Sequence, residues 1–247
     1  MKTPYMELGD GERIPVLYED RSVIAIDKPA GWMLVPMTWQ RTQRNLQTAI
    51  VSAIAAGHFW ARSRGLKFLR YIHRLDAETT GVLLFGKTPG AVRSYGELFE
   101  SRDMEKMYLA VINGDPPKRE WVCRESIGEQ SSSPKRMKID PGGKPAETHF
   151  KALAQHAGRT LIEARPVTGR THQIRVHLAH TAAPVLGDPI YGKAAKDDAL
   201  ALRSILLAYR DPFTRKPISI KAPVDEFLKM YNFSPQETEF GKWTIKK

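Results

Sequence analysis

Short apolar runs, each followed by a proline or glycine signal, limit what this chain can fold into. Residues 23–26 read VIAI and end at a Lys-Pro pair and Gly31; residues 82–85 read VLLF; EKMYLAVING (105–114) closes on Asn113 and Gly114; a fourth run lies at 205–209. Runs of this length bounded by turn residues read as strands. Helices fall between them without a regular beat. One is predicted over 46–56, capped by Asn45 and stopped by Gly57, and another starts at Pro89 and continues through 90–101. GRTHQIRVHLAHT (169–181) reads as a third, with Ile174 and Leu178 four apart, and a short terminal helix starts at Asp225. Residues 148–154 and 160–167 form a predicted hairpin, and the polar stretch 114–145 reads as an extended loop or insertion. Because strands and helices mix without alternation, the pattern argues against a doubly wound parallel sheet. The expectation is an α+β fold, one domain over 1–247, built on a largely antiparallel mixed β-sheet with flanking helices and loops.

The charge pattern narrows the partners. The 247 residues carry a net charge of +11, and 42% of them are hydrophobic. No apolar run is long enough to cross a bilayer, and the start, MKTPYMELGDGERIP, lacks the apolar core of a signal peptide. A single cysteine, Cys123, excludes an internal disulfide and a thiolate-rich zinc site, which points to a cytoplasmic location. Between Asp27 and Asp76 there is no acid at all, while Lys28, Arg41, Arg44, Arg62, Arg64, Lys67, Arg70 and Arg74 lie there. A second acid-free stretch, between Glu163 and Asp188, holds Arg165, Arg170 and Arg175 with His172, His177 and His180. Evenly mixed charge would interrupt both stretches. Two basic blocks of this kind favour a nucleic acid over a membrane, since no basic amphipathic helix with an apolar anchor face stands out.

Candidate chemistry is sparse. The three histidines of the second block spread around a helix rather than converge, and no carboxylate lies among them, so no metal site is expected. Walker, dinucleotide and nucleophilic-serine patterns are absent, so no cofactor is expected. Asp76 remains, at the end of the first basic block. Taken alone it reads as a turn or cap residue; Tyr108 reads as a core strand tyrosine and Arg175 as a surface helix arginine. The rings of Trp32, Trp39, Phe59, Trp60, Phe68 and Tyr71 interleave with that block and read mainly as core.

HRLDAETTGVLLF, EKMYLAVING and ARPVTGRTHQIRVHLAHTAAPVLGDPIYG resemble, in this order, the signature segments of the RluA-type RNA pseudouridine synthases. KPAGWMLVP, upstream, is similar to that family's opening strand and turn, and the resemblance runs from about 14 to about 227. It implies the pseudouridine synthase fold, with no separate N-terminal RNA-binding domain, and an enzyme that isomerises a uridine in structured RNA, ribosomal or transfer. That isomerisation adds and loses no atoms, so no cofactor is expected; no obligate protein partner is expected either, and the want of an obvious interface stripe points to a monomer. By the same resemblance Asp76 is the catalytic aspartate, Tyr108 the tyrosine that packs on the target base and Arg175 the basic partner of the aspartate. Arg74 is the arginine that can take the space of the flipped nucleotide, and Arg170 and His172 are expected to contact RNA.

Three positions depart from the family. The chain reads Met33, Leu34, Val35, Pro36 where a histidine is frequent, Leu206, Leu207, Ala208 where Leu-His-Ala is common, and Thr80 where serine is usual. None belongs to the implied catalytic set. Two other readings stay open on the residues alone: a non-catalytic RNA-binding factor, and a glycosidic hydrolase using Asp76 with water.

Overall fold

The computed structural model describes residues 2–9, 11–34, 44–130, 136–193 and 198–237. Val35, Pro36, Trp39, Arg41 and the Ser-rich 131–134 stretch lie outside them. The chain groups into two compact units, Met1–Met104 with Tyr209–Ala222, and Glu105–Ala208 with Pro223–Lys247.

In the first unit β1 (Tyr5–Glu7), β2 (Arg13–Glu19) and β3 (Val23–Lys28) pair in succession, antiparallel. Then come α1 (Leu46–Ala55), the short α2 (Phe59–Arg62) and the two-residue β4 (Arg70–Tyr71). β5 (Thr80–Gly86) lies antiparallel between β3 and β4. The predicted cap of α1 is present, the Asn45 side chain accepting the Thr48 N–H at 2.9 Å. Val23, Ile24, Ala25 and Ile26 are fully buried, as are Val82, Leu83, Leu84 and Phe85. Successive strand side chains point to opposite faces, so both faces of β3 and β5 are covered, which is why these runs are continuous rather than alternating. α3 (Pro89–Glu100) follows, with Pro89 in its first turn and the Thr88 side chain accepting the Ala91 N–H. It lies so close to β5 that a Cβ on Gly86 would sit 2.7 Å from Val92 Cγ2.

The second unit contains β6 (Glu105–Asn113), β7 (Glu120–Cys123), β8 (Ile127–Gln130), β9 (Arg136–Ile139), β10 (Thr148–His156), β11 (Arg159–Pro166), α4 (Gln173–Thr181) and β12 (Leu202–Arg210). Its sheet runs β12-β6-β11-β10-β7, each pairing antiparallel. β12 runs past Ala208 into the first unit, where β13 (Pro217–Lys221) follows; α5 (Asp225–Met230) belongs to the second.

The antiparallel α+β reading holds. The 114–145 stretch departs from expectation, since it contains β7, β8 and β9 rather than an open loop. β8 and β9 form their own antiparallel pair, and Ile127, Met137 and Ile139 pack with Ala146, Val176 and Tyr191. Few apolar residues suffice because only one face of this hairpin is covered, and a polar sequence conceals such a strand. Among the described residues no helix is long and apolar enough to cross a membrane.

Candidate active site

Asp76 sits on a loop between β4 and β5 that is fastened at several points. His73 enters it with its ring stacked on Phe99, centroids 4.6 Å apart, and its Nε2 accepts the Leu84 N–H at 3.2 Å. Leu75 is buried, Arg74 is exposed, and Asp76 lies half-buried. The Asp76 carbonyl accepts the Thr79 N–H at 3.2 Å, so the residue does occupy a turn. That turn is tied from below by Lys28. The ammonium, on a residue with no exposed surface at the end of β3, donates to the carbonyls of Ala77 at 2.8 Å, Thr79 at 2.9 Å and Pro29 at 3.0 Å. Gly31, at φ +81°, donates its N–H to the same Ala77 carbonyl at 2.8 Å. Burial pushes the Lys28 ammonium down to about 8, and the charges of Glu78 and Asp76 work in the opposite direction. Asp76 therefore has a cation in its own unit. Composition counts Lys28 among the free charges, but strand periodicity places it in phase with Ile24 and Ile26, on an inward face.

In the second unit the loop before α4 is organised by Gln173. Its Oε1 accepts the Thr168 hydroxyl at 2.6 Å and the Arg170 N–H at 2.9 Å, and its Nε2 donates to the Glu147 carbonyl and the Thr148 hydroxyl, each at 2.9 Å. His172, in the left-handed conformation at φ 55°, then turns the chain into α4. Arg175 is wholly buried rather than on a helix surface. Its Nε donates to Asp188 Oδ2 and its Nη2 to Asp188 Oδ1, both at 2.8 Å, and its guanidinium carbon lies 5.4 Å from the Tyr191 ring centroid. Burial would raise the Asp188 carboxyl, but the Arg175 guanidinium and the N–H groups of Tyr191 and Ile190 hold it below the ordinary range. The Tyr191 hydroxyl accepts the Met137 N–H at 3.0 Å and lies 2.9 Å from His172 Nδ1, so the β8–β9 hairpin and the α4 loop meet on one ring.

The remaining named residues have clear surroundings. Tyr108, 8% exposed, lies in β6 opposite Ala164 and Ser204. Arg170 donates from Nε to the Pro145 carbonyl at 3.0 Å. Lys106 donates to the Thr168 carbonyl at 3.0 Å, and burial, with help from the Arg170 charge, pushes it down to about 8. His177 is a closed core histidine: Nδ1 lies 2.9 Å from the Thr148 hydroxyl and Nε2 3.0 Å from the Glu125 carbonyl, and burial lowers its pKa. Trp32 and Trp60 are core, at 3% and 2% exposure. Thus Arg175, Arg170, His172 and Tyr108 belong to the second unit and Asp76 and Arg74 to the first.

Sequence reasoning missed Lys28, Gln173, Asp188 and Tyr191. The last two stand in GDPIYG, where Gly187 is the readable signal. It has φ +72°, and a Cβ there would lie 2.0 Å from the Ala199 carbonyl oxygen. Gly187→Ala is expected to destabilise the protein by about 2–4 kcal/mol, seen as a lower urea midpoint, because it adds a backbone clash to an unfavourable φ beside Asp188.

Residues 22–180 match the family model described as RNA pseudouridylate synthase. The mouse pseudouridylate synthase RPUSD2 is 37% identical over 184 residues, 74% of this chain and 31% of its own length. The chain thus spans about a third of that relative. Ribosomal large subunit pseudouridine synthase C of Escherichia coli K12 is 33% identical over 226 residues, 87% of this chain and 67% of its own. The solved structure of human RNA pseudouridylate synthase domain containing 1 superposes with a TM-score of 0.68 at 25% identity, over 88% of this chain and 86% of that one.

Proposed function

Because the chain belongs to the RluA-type family of RNA pseudouridylate synthases, we propose that it isomerises a uridine of structured RNA to pseudouridine, with Asp76 as the catalytic carboxylate. Ribosomal RNA is the first substrate to test, from the name of the Escherichia coli relative, and transfer RNA the second. The reaction breaks the uridine N1–C1′ bond and forms C5–C1′, and the proton lost from C5 is balanced by one gained at N1. Nothing is oxidised and nothing enters or leaves.

The observation that carries this reading is the Asp76 loop. A half-buried carboxylate follows an exposed arginine, on a turn whose carbonyls are tied to a buried ammonium. A carboxylate can act as nucleophile or general base only if it is ionised and held in place. Lys28 supplies nearby positive charge and fixes the backbone. By the family likeness we also assign roles to Arg175, its guanidinium plane set by Asp188, as a basic residue of the reaction, and to Tyr108 as a ring face for the detached uracil. Arg74 fills the stack that the flipped uridine leaves, a vacancy that costs a few kcal/mol to open.

The test is Asp76→Asn. Pseudouridine formation on ribosomal RNA transcribed in vitro should disappear, while RNA affinity stays within about twofold, because phosphate contacts dominate binding. Substantial product from that variant would remove Asp76 from the mechanism, and free uracil released by the wild type would point to hydrolysis instead.

A further inference from the structure

A cleft of about 600 Å³ lies in the first unit between α1 and residues 67–71, outside the Asp76 loop. Its walls include Val51 and Ile54 on the helix side and Lys67, Phe68, Arg70 and Tyr71 on the other. Its width is set by one side chain. Gln47 donates from Nε2 to the Leu69 carbonyl at 2.8 Å, and its Oε1 accepts the Tyr71 N–H at 3.1 Å, so α1 holds this stretch as a neighbouring strand would. On its other edge the stretch is β4, paired through Arg70 with Gly86 and through Tyr71 with Phe85. Both walls are therefore anchored, and the cleft is part of the fold.

The lining has a specific chemistry. Among the described residues no acid lines it, and none occurs in the sequence between Asp27 and Asp76. Other cations of that block are committed elsewhere: Arg64 to Glu19 at 3.0 Å, Arg44 to Glu12 at 2.6 Å, Lys28 to the loop carbonyls. Lys67 and Arg70 are exposed and form no ion pair with any described residue. Beside them stand two half-buried rings and an aliphatic wall with Val51 52% exposed. Unpaired cations next to rings and an apolar wall match the two halves of a nucleotide, a phosphate and a flat apolar base. Duplex RNA keeps its bases stacked inside and would leave the apolar wall uncovered.

We propose that this cleft binds single-stranded RNA, seating a nucleotide that flanks the reacting uridine, with its base against Phe68, Tyr71 and Val51 and its phosphate on Lys67 and Arg70. The placement beside the reacting uridine rests on the function proposed above; five residue steps separate Tyr71 from Asp76. At about 3.3–3.6 Å per step this is under about 18 Å, within the reach of a short strand. The binding itself rests only on the cleft.

The probe is a fluorescein-labelled twelve-nucleotide oligouridylate, compared by anisotropy with an RNA duplex of equal length. Val51→Trp fills the cleft from an exposed helix position and should weaken oligouridylate binding about tenfold, leaving duplex binding unchanged. Thr48→Trp, on the same exposed helix face, serves if the first variant fails to fold. Lys67→Glu with Arg70→Glu should reduce the salt slope of oligouridylate binding by about 1.4, two single-strand phosphate contacts. Wild-type affinity in both tryptophan variants, equal loss of duplex and single strand, or equal competition by a polyglutamate peptide would overturn the proposal. The two readings fail separately. Normal pseudouridine formation with an indifferent Val51→Trp sinks the cleft alone. Cleft-dependent binding by a wild type that makes no pseudouridine sinks the catalytic reading alone.

Discussion

Asp188→Ala is expected to cost about 3–5 kcal/mol of stability, the largest loss for any single side chain in the α4 region. Arg175 and Asp188 are both fully buried and joined by two 2.8 Å hydrogen bonds. The pair itself is no guarantee of stability, because desolvating two charges offsets most of their attraction. Removing one partner is different. The buried guanidinium loses the carboxylate that two of its N–H groups reach, and the N–H groups of Ile190 and Tyr191, which donate to Asp188 Oδ1 at 2.9 and 3.0 Å, lose their acceptor. Exposed pairs such as Arg13–Glu7 should change stability by less than about 1 kcal/mol when broken. Urea denaturation would measure this, with Arg175→Met combined with Asp188→Leu as the control expected to recover much of the loss. Acid gives a second reading. The Asp188 carboxyl is held below its ordinary 3.8, so its contribution is complete above that value and disappears as pH falls below it. Asp188→Ala should flatten that acid limb; an unchanged midpoint would mean Arg175 does not depend on Asp188.

Lys28→Met is expected to lower pseudouridine formation by on the order of a hundredfold with little change in melting temperature. The two outcomes come from the same burial. Burying the ammonium is costly, as its depressed pKa shows, and an isosteric apolar side chain removes that cost. It also removes the donor shared by the Pro29, Ala77 and Thr79 carbonyls, so the turn carrying Asp76 loosens while the core around β3 stays filled. Lys28 is thus a positioning residue, and the loss should fall on kcat rather than KM.

The pH profile separates this role from simple packing. With a folded pKa near 8 against an ordinary 10.5, the cost of the buried charge is fully present below about pH 8. It is relieved as pH rises toward 10.5, so deprotonation of Lys28 does not by itself unfold the protein. A neutral amine has two N–H groups for three carbonyls, however, and the turn loses a tie. Wild-type activity should therefore fall above about pH 8 before the melting temperature does. Lys106 is also pushed down to about 8, so the control is the Lys28→Met profile. If its alkaline limb persists, Lys28 does not produce it.

The central strands were legible because a strand covered on both faces must be apolar at every position, and VIAI and VLLF need no partner to be read. The Asn45 cap of α1 and the proline start of α3 were equally local, each satisfied within a few residues of chain. β8 and β9 were not, because a hairpin covered on one face needs only Ile127, Met137 and Ile139, and these take their meaning from Val176 and Tyr191, far along the chain. The carbonyls that take up the Lys28 ammonium and the Asp188 anchor of Arg175 were hidden for the same reason. A charge is free or committed according to what lies within a few ångströms, and composition records only its sign.

By itself, then, the order of residues determined the strand and helix types, the basic approach to Asp76 and, through three long motifs, the family. Tertiary structure alone decided which charges are spent. It committed Lys28 to carbonyls and Arg175 to Asp188, and among the described residues it left Lys67 and Arg70 without an ion pair beside an open apolar wall. The physical reason is range: backbone preference acts over a turn or two, whereas desolvation and hydrogen bonding depend on neighbours that only folding assembles.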